Sequence, residues 1–168
     1  MIMTINNLEE LFDTNLQKLY DIESQLVEAI PNMANNAQSD ELRNALSRHL
    51  EVTREQLGRI EDIAKKRNLQ LSRSSDEAMM QMIKQDEELI KQISNPEVKD
   101  SAIMDGVEKV EHYEMAAYQS AKALAEKLEA KDIADTLDKT LNEEKQAADR
   151  IHMMSNGGLM GQFRDILP

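Results

Sequence analysis

Cysteine and tryptophan are missing from this chain of 168 residues, and proline (3), glycine (5), tyrosine (3) and phenylalanine (2) are scarce. Without cysteine there is no disulfide, no thiolate nucleophile and no Cys-type zinc site, which fits a reducing compartment. Aromatic residues at 3% exclude an aromatic-lined cleft and the stacking platforms that hold single-stranded nucleic acid. So few turn formers, in a chain rich in Leu, Ala, Glu, Lys and Met, leave long helices as the building unit. Positive charge is also short: 20 Lys and Arg face 32 Asp and Glu, a net charge of −12. Such a surface repels phosphate backbones, excluding nucleic acid as a direct partner, and attracts cations. No apolar run reaches membrane-spanning length. The opening residues Met1 to Asn7 lack the basic and apolar regions of a signal peptide, so a cytoplasmic location without membrane contact is expected. There is no nucleophile elbow and no phosphate-cradling glycine loop.

What is present is helical periodicity. The first helix is expected to begin after Thr4 as N-cap, with the stripe Leu8, Phe12, Leu16, Leu19, Leu26 and Ile30, and to kink or end at Pro31. Ser39 caps a second, with Leu42, Leu46, Leu50, Leu57 and Ile60, ending near Arg67-Asn68. A connector over 69–75 precedes a shorter Met-rich helix over about 76–94, whose methionines read as core filler. After Asn95-Pro96 a third long helix spans about 97–129 and a fourth about 131–154, stopped by Asn156-Gly157-Gly158. Residues 155–168 form a separate C-terminal tail. Two helical hairpins joined by one long crossover that carries a short helix predict an all-α, ferritin-like four-helix bundle over residues 1–154.

Several residues do not belong on these apolar stripes. Glu23 lies between Leu19 and Leu26. Glu111 and Glu114 interrupt Val107, Tyr118, Ala121 and Ala125, and Glu144 centres Leu137, Leu141, Ala148 and Ile151. The second helix offers His49, Thr53 and Gln56. Folding each hairpin about its turn puts Glu23 level with Thr53 and Glu114 level with Glu144. A single offset relates the hairpins, taking Glu23 to Glu114 and Thr53 to Glu144, so one polar layer is expected across the bundle. Burying an unpaired carboxylate costs several kcal/mol, and no Lys or Arg occupies the same stripes. Protons or cations must therefore neutralise the layer, and four carboxylates suit a divalent pair of oxygen-preferring metals. Candidate ligands are Glu23, His49, Glu111, Glu114 and Glu144, with His49 equally readable as a hydrogen-bonded core histidine. Tyr20 and Tyr118 flank the layer and can bond a carboxylate. Glu143 reads as solvated at the edge of its face, His112 and Glu51 point outward, His152 lies near a helix end, and Glu9-Glu10 and Glu87-Glu88 are solvated faces.

The same stretches carry a resemblance. Asp21-Ile22-Glu23-Ser24-Gln25-Leu26, His49-Leu50-Glu51-Val52-Thr53, Val110-Glu111-His112-Tyr113-Glu114 with Ala117-Tyr118, and Leu141-Asn142-Glu143-Glu144-Lys145-Gln146 resemble, in order and spacing, the bacterial ferritin-like stress-protein family that includes YciE and YciF. The resemblance implies a rubrerythrin-like bundle, a dinuclear metal site and a homodimer. It places Glu23, Glu111, Glu114 and Glu144 on the family's inward carboxylates and His49 on its helix-two histidine. The chain departs from the family pattern His-Leu-x-Glu-Thr, having Val52 where Glu is expected, and lacks the two Glu-x-x-His motifs of di-iron bundles. If the family's helix-two Glu is a ligand, the site here is short of one, which leaves a mononuclear site open beside a dinuclear one.

The expected function is thus a stress protein with an iron or manganese centre (zinc serving as surrogate) acting on peroxide or dioxygen. The competing expectation is a non-enzymatic structural stress protein whose cation, if any, is structural. An iron-storage cage is disfavoured by the helix that interrupts the crossover.

Overall fold

A computed structural model describes residues 4–73 and 76–157, and within them five helices are set by their caps. Helix α1 (Leu8–Asn36) starts at Asn7, whose side chain accepts the Glu10 amide at 2.8 Å, while the Glu10 carboxylate accepts the Asn6 amide at 2.7 Å. This reciprocal cap, rather than Thr4, fixes the start, because the acid it needs lies three residues after Asn7. Leu8, placed on the stripe by spacing, is consequently exposed in the first turn.

Pro31 neither ends nor replaces the helix, which runs on to Asn36. Losing the bond to the Val27 carbonyl costs about 3 kcal/mol. Burial of Ile30, Met33 and Ala34 on the same face outweighs that, as tertiary packing commonly does. Ser39 caps α2 (Asp40–Lys66), Asp76 caps α3 (Glu77–Gln92), and Asn95 caps α4 (Pro96–Lys127), with Pro96 at the first helical position where its missing N–H costs nothing. Helix α5 (Lys131–Ser155) is followed by Gly157 at φ 101°, the left-handed stop that glycine favours. Most of the sequence-expected tail, from residue 158 on, lies outside the described residues.

α1 pairs with α2 and α4 with α5, and the hairpins meet mainly where α1 packs on α4. The short helix α3 lies along that seam, touching both α4 and α1, with Met79 and Ile90 buried beneath it. The opposite seam, between α2 and α5, is packed far more sparsely than the α1–α4 seam, and among the described residues no helix lies over it. All described residues are helix or loop, so the all-α bundle of two hairpins with a helix in the crossover stands as read from the sequence.

Two further devices hold the parts in register. Asp100, nearly buried on α4, accepts the backbone amides of Gln38 at 2.6 Å and Ser39 at 2.8 Å, so one hairpin caps the helix start of the other. Where α3 crosses α4, a Cβ built on Gly106 would meet Asp86 at 2.6 Å from Oδ2 and 2.9 Å from Cγ. Glycine inside a helix costs about 1 kcal/mol relative to alanine, so the close approach of α3 explains its presence.

Gly106→Ala is accordingly expected to change stability by no more than about 1 kcal/mol in urea unfolding, a turn of the Asp86 side chain offsetting the gain in helix propensity, and to be more stabilising in an Asp86→Ala background. Strictly additive effects in that double-mutant cycle would refute the steric account.

Candidate metal centre

The 3.6-residue period turns Glu23 of α1, Glu111 and Glu114 of α4, and Glu144 of α5 into the middle of the bundle, where each is at most 1% exposed. The apolar core divides around them. Phe12, Leu16, Ile60, Ala121 and Leu137 lie in one half, and Leu26, Leu42, Leu46, Val107 and Ile151 in the other. Helix α2 completes the layer with His49, Thr53 and Gln56.

His49, Glu111, Glu114 and Glu144 each present one donor atom, all within 4.8 Å of one another. His49 Nε2 lies 3.0 Å from Glu111 Oε1, a charge contact off the hydrogen-bonding direction, since neither Glu111 oxygen finds a donor. Glu23 stands beside this group rather than within it. Its Oε1 accepts the hydroxyl of fully buried Tyr118, so of the two tyrosines flanking the layer Tyr118 bonds a carboxylate. Among the described residues, five buried carboxylate oxygens lack any hydrogen-bond donor: Glu23 Oε2, both of Glu111, Glu114 Oε2 and Glu144 Oε2. Buried acceptors are normally satisfied, and oxygens converging beside an imidazole nitrogen are a donor set that fits a first-row divalent cation.

Thr53 does not join them, because its hydroxyl donates to the His49 carbonyl at 3.0 Å within its own helix. Gln56 does, donating its amide to Glu144 Oε1 and, at 3.3 Å, to Glu143 Oε2. Glu143 corrects the sequence reading. It is half-buried rather than solvated, and Arg59 grips it with both guanidinium nitrogens, at 2.5 and 2.9 Å, while also donating to Thr140 at 3.0 Å. A basic group therefore does border the layer. Arg59 lies one turn beyond Gln56 on α2, and that spacing from an inward polar residue was the signal available for it. His112, His152 and Glu51 are exposed, as expected.

Charge state follows from this burial. Burial pushes Glu23 up to about 8 against the opposing Tyr118 hydrogen bond. Burial together with repulsion from Glu144 lifts Glu114 well above the carboxylate range, and burial with repulsion from Glu111 takes Glu144 the same way. For His49, burial is the largest influence and lowers the pKa, but contact with Glu111 and the charge of Glu23 together outweigh it and leave it raised.

The comparisons with known proteins agree with this architecture. The family described as "Domain of unknown function (DUF892)" matches residues 7–161. The chain belongs to that family. Protein YciF of Escherichia coli K12 is 35% identical over 144 residues, covering 85% of this chain and 87% of YciF. Among solved structures, the E. coli stress protein YciF superposes with a TM-score of 0.86 at 32% identity, covering 90% of this chain and 96% of its own. The structure described as "YcfI, a putative structural protein from Rhodopseudomonas palustris" gives 0.87 at 34% identity over 90% and 97% of the two chains. The resemblance drawn from the sequence is thus to the right family. None of the described helices is long and apolar enough to cross a membrane.

The raised carboxyls predict an inverted pH profile. Each is protonated in the folded protein at a pH where the unfolded chain has ionised it, so the folded state holds more protons. Cation-free stability then falls as pH rises above 4.5 and, for Glu23, keeps falling to about 8, by up to about 1.4 kcal/mol per pH unit for each group. Thermal midpoints of chelator-treated protein are expected to drop between about pH 5 and about pH 8, and divalent cation at the upper pH to restore them, because ligation substitutes for the lost protons. A profile flat across that range, with or without cation, is incompatible with this layer.

Proposed function

We propose that the protein is a stress protein built around a single carboxylate–histidine metal centre, with His49, Glu111, Glu114 and Glu144 as ligands and iron or manganese as the resident ion. The observation that carries this reading is the set of donorless carboxylate oxygens facing one another and His49 inside the bundle. A bound iron or manganese would supply electron-transfer chemistry toward peroxide or dioxygen. The chain's own residues do the rest. Glu111, Glu114 and Glu144 provide the negative charge that a divalent ion requires. Gln56 fixes one oxygen of Glu144 and so leaves the other, Oε2, for the ion. Tyr118 orients Glu23, whose remaining oxygen either joins the ion or holds a proton next to it. The two apolar halves of the core keep bulk water from the layer. A homodimer in the cytoplasm is the assembly and location proposed with this reading.

A second reading has its own support. Helix α2 contributes Val52 and a self-bonded Thr53 where another acid would complete a dinuclear set, and the relative YcfI is described as structural. In that case a bound cation stabilises the bundle without turning anything over.

Chelator-stripped protein is expected to take up Mn(II) or Fe(II) in calorimetric titration. Glu144→Gln or Glu111→Gln should weaken uptake about 10- to 100-fold, and Val52→Glu should tighten it. Failure to take up iron, manganese or zinc would sink the metal centre. Uptake without any metal-dependent turnover of peroxide or dioxygen would leave the structural reading in place of the redox one.

A further inference from the structure

The loosely packed α2–α5 seam runs beside the polar layer, whose carboxylates are buried beneath it. It holds a cavity of about 500 Å³ whose buried end is formed by Glu111, Val107 and Leu46, with His49 beside them. Its walls are apolar: Val52 from α2, and Ala147 and Ile151 from α5. Its rim is not. Arg48 and Arg150, both exposed, stand on the two helices at the opening, with Glu41 as the one acidic rim residue. Among the described residues neither arginine forms an ion pair. That is unusual chemistry for this chain, in which acids outnumber bases 32 to 20 and Arg43, Arg54, Arg59, Arg67 and Arg73 all have carboxylate partners. Two guanidiniums without carboxylates across an apolar opening are a fork for an anion, and the volume is that of a small-molecule site.

We propose that this cavity binds an amphipathic monoanion of the acyl-carboxylate class. Its carboxylate lies between Arg48 and Arg150, its hydrocarbon runs along Val52 and Ile151, and its far end abuts the His49–Glu111 face of the layer. The inference deepens the metal-centre reading and rests on it for whatever chemistry occurs at the cavity floor, but not for binding itself. A cation is disfavoured at the rim by the arginines. A fully polar anion gains nothing from the walls, and a neutral alkane leaves the guanidiniums without a partner. Val52 is central to the access. Its short apolar side chain leaves the floor open from α2, whereas a carboxylate at that position would repel an anion.

Decanoate is the probe. Isothermal titration of full-length, chelator-stripped protein should show one site, with decanol and decyltrimethylammonium binding at least tenfold more weakly. Arg48→Gln with Arg150→Gln should lower decanoate affinity tenfold or more while leaving Mn(II) uptake as in the parent. Val52→Trp, which fills the cavity, should abolish decanoate binding without loss of helicity. Decanoate that does not bind the full-length chain overturns the proposal. Decanoate affinity that survives the double arginine variant, or is matched by decanol, overturns it equally. Because the titration is run without metal, Mn(II) uptake without decanoate binding rejects this inference alone, and decanoate binding without Mn(II) uptake rejects only the metal centre.

Discussion

Everything in this bundle is arranged around carboxylates that have no protein cation to answer them. Glu23, Glu111, Glu114 and Glu144 sit at the level where the core would otherwise be continuous, and they divide it into two apolar halves. Left ionised and alone, each would cost several kcal/mol, and mutual repulsion would add to that. The nearest strong base, Arg59, is already committed to Glu143 at the border of the layer. His49 brings at most one positive charge. The layer is therefore compatible with folding only when protons or an external cation occupy it, which makes the occupant a component of stability.

The hairpins share a geometric pattern but not its chemistry. The α4–α5 hairpin contributes three acids, whereas α1–α2 contributes one acid and the imidazole. Thr53, which corresponds to Glu144, spends its hydroxyl on its own helix. Tyr20 corresponds to Glu111 and is only partly buried. The candidate ligands other than His49 thus come from the α4–α5 side, with Glu23 reached through Tyr118 of α4. An off-centre set of this kind favours one ion close to α4 and α5 over two shared evenly between the hairpins.

The inward acids were legible in the sequence because helical periodicity assigns faces without knowledge of partners, and a Glu between Leu19 and Leu26 contradicts its own stripe. The helix limits were legible where a single residue both stops and starts, as at Ser39 and Gly157. Pro31 misleads because its local penalty is visible in the sequence while the burial of Ile30, Met33 and Ala34 that offsets it is not. The partners of Arg59, Gln56 and Asp100 were out of reach for a related reason. Each acts across a gap of many residues, on Glu143, Glu144 and the Ser39 amide, and spacing along one helix says nothing of such partners. The seam cavity is further still from the sequence, since it arises from how closely two helices pack.

That seam ties the short crossover helix to the site. A four-helix bundle has two seams between its hairpins, and here α3 covers the α1–α4 seam, while among the described residues no helix covers the α2–α5 seam. The covered side is also where Asp76, at the start of α3, takes the Tyr113 hydroxyl at 3.0 Å and Asp21 takes the Asp76 amide, so that side is sealed by hydrogen bonds as well as by Met79 and Ile90. The cavity in the α2–α5 seam reaches the edge of the layer at His49 and Glu111, where His49 keeps slight exposure and Glu111 none. Of the layer these two residues line the cavity, the imidazole at its wall and, behind it, the carboxylate with both oxygens unbonded. With the imidazole at the cavity wall and the carboxylate least satisfied by hydrogen bonds buried just behind it, the layer lies one side chain away from the seam.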